Sequence, residues 1–251
     1  MADLRLERIY NKQQAVFKKI AERPEDFPLA ERDRVLDNLL TEYSAFVFEN
    51  PDFVYGYILY GKLLRQVGDR EAANVAFAKA NQLDPQIAVV KQQIGNYLVE
   101  EGRPMLALPY FVAAVELEPE YALYHYQLGE LLHQSRDVFI EEQEMPADVH
   151  SEQMLESLGN AARLDPGNRQ FQMRYAEAFF DTLNPDWELA LVHWNFLENS
   201  SSNPLERDII RLQKARVLIA QGNSSEAETI LISMNQPSLE TARQELLESV
   251  Q

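Results

Sequence analysis

Three prolines, Pro51, Pro85 and Pro119, stand 34 residues apart. Each follows an acidic or amide residue: Asn50, Asp84 or Glu118. Gly61, Gly95 and Gly129 keep the same interval, as do the pairs Ala73 and Ala107, Phe77 and Phe111, and Ala80 and Ala114. Only nine glycines occur in the chain, so three of them in register with prolines and alanines is a true period. A period of this length means a repeat architecture, in which each unit packs on its neighbours. That is how 251 residues can fold without one large central core.

Each residue type in the period has a physical task. Over 54–66, Tyr57, Tyr60 and Leu64 recur at close to helical spacing, which predicts a first helix. Gly68 can take the left-handed conformation that ends it. Asp69 is then a good N-cap for a second helix, whose buried face carries Ala72, Ala73, Ala76, Phe77 and Ala80. Pro85 stops this helix, because the residue before proline is pushed away from helical angles. Gly61 lies inside the first helix at a cost of about 1 kcal/mol relative to alanine. The expected reason is close approach of the two helices, with Ala73 and Ala80 as the small opposing surface.

The pattern Tyr57, Tyr60-Gly61, Leu64, Ala73, Phe77, Ala80, Pro85 resembles the tetratricopeptide repeat (TPR) family. The next unit repeats it as Lys91, Ile94-Gly95, Leu98, Ala107, Phe111, Ala114, Pro119, with Lys91 in place of an aromatic. The resemblance implies an all-α fold: a right-handed superhelical solenoid of about five helix–turn–helix units with helical caps. A third unit starts with His125, Leu128-Gly129 and Leu132, but Pro166 follows Pro119 thirteen residues late. The extra residues fall near 137–152, a stretch with Asp137, Glu141, Glu142, Glu144, Asp148 and Glu152 and no Lys or Arg. This insertion is expected to be a dispensable loop, apart from Val138, Phe139 and Ile140. A fourth unit is degenerate (Tyr175-Ala176, Phe179, Ala190, Trp194), and a fifth reads Ala215, Leu218, Gly222, Ala227, Leu231. The expected organisation is a capping helix pair or decayed repeat over 1–50, a repeat array over 51–236 and a capping helix over 237–251.

Composition excludes several kinds of function. The net charge is −17, from 40 acidic and 23 basic residues, so a nucleic-acid partner is not expected. Cysteine is absent, which removes disulfides, thiol nucleophiles and cysteine metal sites. The first twenty residues hold Arg5, Glu7, Arg8, Lys12, Lys18 and Lys19 without an apolar block, so no secretory signal is read there. The longest apolar run, 105–115, is too short to span a bilayer and contains Pro109. A cytoplasmic protein without membrane insertion is expected. No two of His125, His133, His150 and His193 stand at i, i+4, and no phosphate loop or nucleophile elbow is present. His125 and Trp194 fall at packing positions. The carboxylates are scattered over helical faces. The chain is therefore expected to be no enzyme, with no cofactor and no metal.

Function comes from what the resemblance implies. In TPR proteins the first helix of each repeat lines a concave groove that reads a bound segment. Position by position, that groove would carry Tyr55, Ile58, Lys62 and Arg65, then Val89, Gln92, Asn96 and Val99. The later repeats would add Leu123, Tyr126, Glu130 and His133, then Gln170, Met173, Glu177 and Phe180, and finally Ile209, Leu212 and Arg216. The basic clamp by which some TPR co-chaperones hold a C-terminal carboxylate is largely missing: Ile58, Lys62, Gln93, Leu123 and Gln127 fill its places. The expected function is that of an adaptor or assembly factor holding a segment of another protein or peptide. The alternative is a structural subunit, or a homodimer, that uses the convex face or the ends. The oligomeric state cannot be read from the residues.

Overall fold

Helices α3 (Val54–Gln66) and α4 (Arg70–Leu83) show how the repeat is made. Gly68, with φ of +90°, turns the chain between them, and the Asp69 carboxylate accepts a hydrogen bond from the Ala72 amide at 3.0 Å. Ala73, Ala76, Phe77 and Ala80 are buried on one face of α4. A Cβ on Gly61 would lie 2.9 Å from the Phe77 ring, and one on Gly95 would lie 3.1 Å from the Phe111 ring. The registered glycines thus exist for close packing, but against Phe77 and Phe111. Ala73 and Ala80, expected as the opposing surface, are buried in the same cluster, but the Phe77 ring makes the nearest contact. Gly129 is tighter still: its Cβ would meet Leu158 Cγ at 2.5 Å.

The computed structural model describes residues 2–141 and 145–250. Among them are fourteen α-helices and no strand, so the chain is an all-α helical repeat. The helices form two compact units, Met1–Pro119 and Glu120–Gln251. No described helix is long and apolar enough to cross a membrane.

The first unit runs α1 (Ala2–Glu22), α2 (Leu29–Glu49), α3, α4, α5 (Ala88–Glu100) and α6 (Pro104–Leu117). Its core is built in steps. Leu6, Ile9, Leu39, Tyr43, Phe46 and Leu63 join α1, α2 and α3. Leu64, Phe77, Ala80, Val90 and Ile94 join α3, α4 and α5. Gln13, buried on α1, accepts from Tyr43 Oη at 2.7 Å and donates to Gln66 Oε1 at 3.2 Å, which ties α1 onto α2 and α3.

The second unit runs α7 (Ala122–Gln134), α8 (Arg136–Glu141), α9 (Ala147–Leu164), α10 (Arg169–Ala178), α11 (Trp187–Ser200), α12 (Pro204–Ala220), α13 (Ser224–Ile232) and α14 (Glu240–Ser249). The insertion departs from the expected loop. Residues 136–141 form α8, and α9 begins at Ala147, before the apolar face that starts at Met154. Phe139 is fully buried, and His150, also fully buried, donates from Nε2 to the Leu132 carbonyl at 2.8 Å. Burial of one aromatic and one imidazole makes this stretch part of the packing against α7. Glu142 and Glu144 lie outside the described residues. In the fourth repeat α10 has ten residues and closes in a 3-10 turn, Phe179–Asp181. Trp194 is fully buried at the packing position. The Trp187 ring packs tilted against Phe180, with centroids 5.3 Å apart and planes at 49°.

Candidate binding site

The first helices of successive repeats are α3 and α5 in the first unit, and α7, α10 and α12 in the second. In the first unit Tyr55 is 64% exposed and Lys62 is exposed, while Ile58 is only 4% exposed. Ile58 was expected on the groove surface, but it packs in the core with Leu64 and Phe77. Gln92 is buried and accepts from Gln93 Nε2 at 2.7 Å. Asn96, Val89 and Val99 are half-buried. Arg65 is paired with Glu100, and Arg70 reaches the same carboxylate at 2.7 Å and Glu101 at 2.9 Å. Those two arginines hold the Glu100 carboxyl below the usual range, with the Arg65 hydrogen bond as the main cause. Arg65 is therefore an edge tie, and Tyr55 and Lys62 remain as the accessible side chains of α3.

The second unit gathers more. Tyr126 on α7 stacks on Phe171 of α10, with centroids 4.6 Å apart, and accepts at its hydroxyl from Gln170 Nε2 at 2.8 Å. One turn further along α7, Glu130 receives Arg174 Nε at 2.6 Å. Arg174 also lies 3.6 Å from Asp181, and His133 Nδ1 lies 3.2 Å from the same carboxylate. The Arg174 side chain is only 11% exposed. Glu177 completes the group. Burial pushes its carboxyl up, and Asp181 and Glu130 push it the same way against the pull of Arg174. Burial also raises the Tyr126 phenol. Further along, Arg216 of α12 lies over the Phe180 ring at 4.2 Å. Met173 is half-buried beside the α10–α12 core, Leu212 is in the core, and Leu123 is exposed on α7.

Three carboxylates thus face one arginine and one histidine, beside an aromatic stack. Such a group can receive a cationic side chain and hydrogen-bond a peptide backbone. Among the described residues, no three His, Asp or Glu side chains are placed to hold a metal ion. Two members of the group, Arg174 and Asp181, were not expected at the centre. Glu130 and Arg174 lie 44 residues apart, off the 34-residue period, because the insertion shifts the fourth repeat. Only their opposite charge could have hinted at the pairing.

Comparison with known proteins agrees with the repeat. Tetratricopeptide repeat models match residues 54–87 and 93–138. No curated protein sequence matches the chain. Among solved structures, the chain is similar to YrrB, described as a TPR protein with an unusual peptide-binding site. The TM-score is 0.63 at 16% identity, over 82% of this chain and 92% of that one. It is similar to a chain of the Naa15/Naa10 complex bound to HypK-THB, with a TM-score of 0.62 at 19% identity. That match covers 97% of this chain but spans only 34% of the other. PilF of Pseudomonas aeruginosa is similar at a TM-score of 0.60 and 14% identity, over 97% of this chain and 98% of that one. At these identities the likeness is one of fold. The registered glycines packed on Phe77 and Phe111, the helix pairs that follow from them and the matching models show that residues 54–138 carry tetratricopeptide repeats, and the solved structures show that the chain as a whole has the fold of such proteins.

Proposed function

We propose that the chain is a non-catalytic adaptor or assembly factor that binds a segment of another protein along the first-helix face. The observation that carries this reading is the group around Arg174. Glu130, Asp181 and Glu177 surround one nearly buried guanidinium, next to the Tyr126–Phe171 stack. A partner segment with a basic side chain and a neighbouring apolar residue suits it. In the first unit, taken by itself, Tyr55 and Lys62 on α3 and Asn96 on α5 are the proposed contacts. The charge of −17 favours such a partner over nucleic acid, and the reading places the protein in the cytoplasm. YrrB, with its unusual peptide-binding site, and the Naa15/Naa10 complex bound to HypK-THB support a protein or peptide partner for this fold.

The test begins with a partner captured from the source cell. Its affinity is then measured for Tyr126→Ala, Glu130→Gln and, on α4, Lys79→Ala. Truncating Tyr126 should cost about 2 kcal/mol of binding. Glu130→Gln should mainly slow association and reduce its salt dependence. If Lys79→Ala loses binding while the two α7 variants keep it, the second-helix face is the interface. A structural-subunit role on that face is favoured by one observation: Val192 and Phe196 of α11 are 61% and 49% exposed.

A further inference from the structure

We propose that the cleft between α9 and α11 is a docking site for a basic amphipathic helix of a partner protein. The site lies wholly in the second unit and is independent of the group around Arg174. The cleft measures about 800 Å³. Its floor is Tyr175 of α10. A Cβ on Gly159 would lie 3.0 Å from the Tyr175 ring, so a bare backbone there is what lets the ring lie against α9. His193 of α11 meets that ring edge-on, with centroids 4.6 Å apart and planes at 74°.

The two walls differ in chemistry. On α11, Val192 and Phe196 are 61% and 49% exposed. Their spacing of i and i+4 puts both on one apolar stripe. On α9, Glu152 and Glu156 are exposed at i and i+4, and Arg163, which also lines the cleft, stands two turns further along the helix with a hydrogen bond to Asn160 at 3.4 Å. Neither carboxylate makes an ion pair among the described residues. Elsewhere in this unit Glu130 pairs with Arg174, Glu198 with Arg211 and Lys214, and Glu206 with Arg169. The two unpaired carboxylates facing an apolar wall fit a helix that carries an apolar stripe and a lysine or arginine flank over Glu152 and Glu156. Residues 152–163 of α9 cover about three helical turns, roughly 16 Å, so the occupant needs about the same length. A second copy of this chain is the poorer fit, because it too carries a net charge of −17.

The probe is a fluorescein-labelled helical peptide of about four turns, with leucines at the stripe positions and lysines on one flank. The same peptide with glutamates in place of those lysines is the comparison. Anisotropy is read with the full chain. The lysine peptide should bind saturably, at least tenfold more tightly than the glutamate peptide, and more weakly as salt rises. Phe196→Ser should weaken it tenfold or more. Glu152→Lys combined with Glu156→Lys should reverse the preference. Both carboxylates are exposed, so this pair tests the site even where Phe196→Ser lowers the thermal midpoint. Tyr126→Ala should leave peptide binding unchanged, which separates this site from the first-helix face. The proposal is overturned by absence of saturable binding, by equal affinity for the two peptides or by an unreversed preference in the double variant. Self-association of the wild type that Phe196→Ser abolishes would also overturn it, because the occupant would then be a second copy.

Discussion

The pairs α3/α4 and α10/α11 follow one plan with different contents. In α3/α4 a glycine meets a phenylalanine, a glycine with positive φ turns the chain, and the ion pairs sit at the edge. In α10/α11 Ala176 replaces the glycine, Trp194 replaces the phenylalanine, and half-buried charges tie α10 to α7 and α11 to α12. Arg174 is nearly buried against Glu130, and Glu198 is held below the usual range by Lys214 and Arg211 in spite of its burial. Regular packing repeats its residues; irregular packing replaces them with specific partners. The candidate binding chemistry therefore concentrates in the less regular unit.

The largest expected effect tests whether the inserted stretch belongs to the second unit's core. Phe139→Ala should cost about 3–5 kcal/mol, as for a buried phenylalanine. Hydrogen exchange should rise in α7, α8 and α9, while α3 to α6 keep their protection. Unchanged exchange there would restore the dispensable-loop reading. Next, Gly95→Leu should cost about 1–3 kcal/mol by overpacking. Gly129→Leu should cost more, because Leu158 lies closer than the Phe111 ring does. Thermal midpoints in the reverse order would break the packing account.

Smaller effects compare the caps and the pH response. Asp69→Ala in the first unit and Asn168→Ala in the second each remove an N-cap acceptor, from the Ala72 and Phe171 amides. Each should cost about 1 kcal/mol in denaturant unfolding, and equal losses would show that local capping ignores the regularity of the repeat. The smallest effect is on pH. Burial lowers the pKa of both His150 and His193, so the folded state keeps them neutral. Their contribution is complete above the ordinary histidine value of about 6.5 and is lost as pH falls through the lowered values. For His150 the cause is visible: Nδ1 is buried without a hydrogen-bond partner, so a proton there would have none. Glu177, raised by burial, acts in the opposite sense, losing stability as pH rises above the ordinary carboxylate range. The first unit has no histidine. Protection in α7 to α11, corrected for the intrinsic pH dependence of amide exchange, should therefore fall from pH 7 to pH 6 while that of α3 to α6 stays constant, and His193→Phe should lessen that response.

The amino-acid sequence by itself determined the helix pairs of the regular repeats. Gly61, Gly68, Asp69, Phe77 and Pro85 act within one turn or one helix pair, so their roles depend on local geometry. The limits of α3, the cap at Asp69 and the burial of Trp194 were legible for that reason. Tertiary structure alone decided the rest. Whether Ile58 faces a groove or a core depends on how far α3 is rotated against α4 and α5, and helical spacing does not set that rotation. Arg174 finds Glu130 and Asp181 only after an insertion has moved the fourth repeat out of phase. Phe139 looked like an apolar residue in an acidic loop until α8 carried it into the core. Periodicity records contacts that recur from repeat to repeat, whereas these contacts occur once, and only the packed chain brings their partners together.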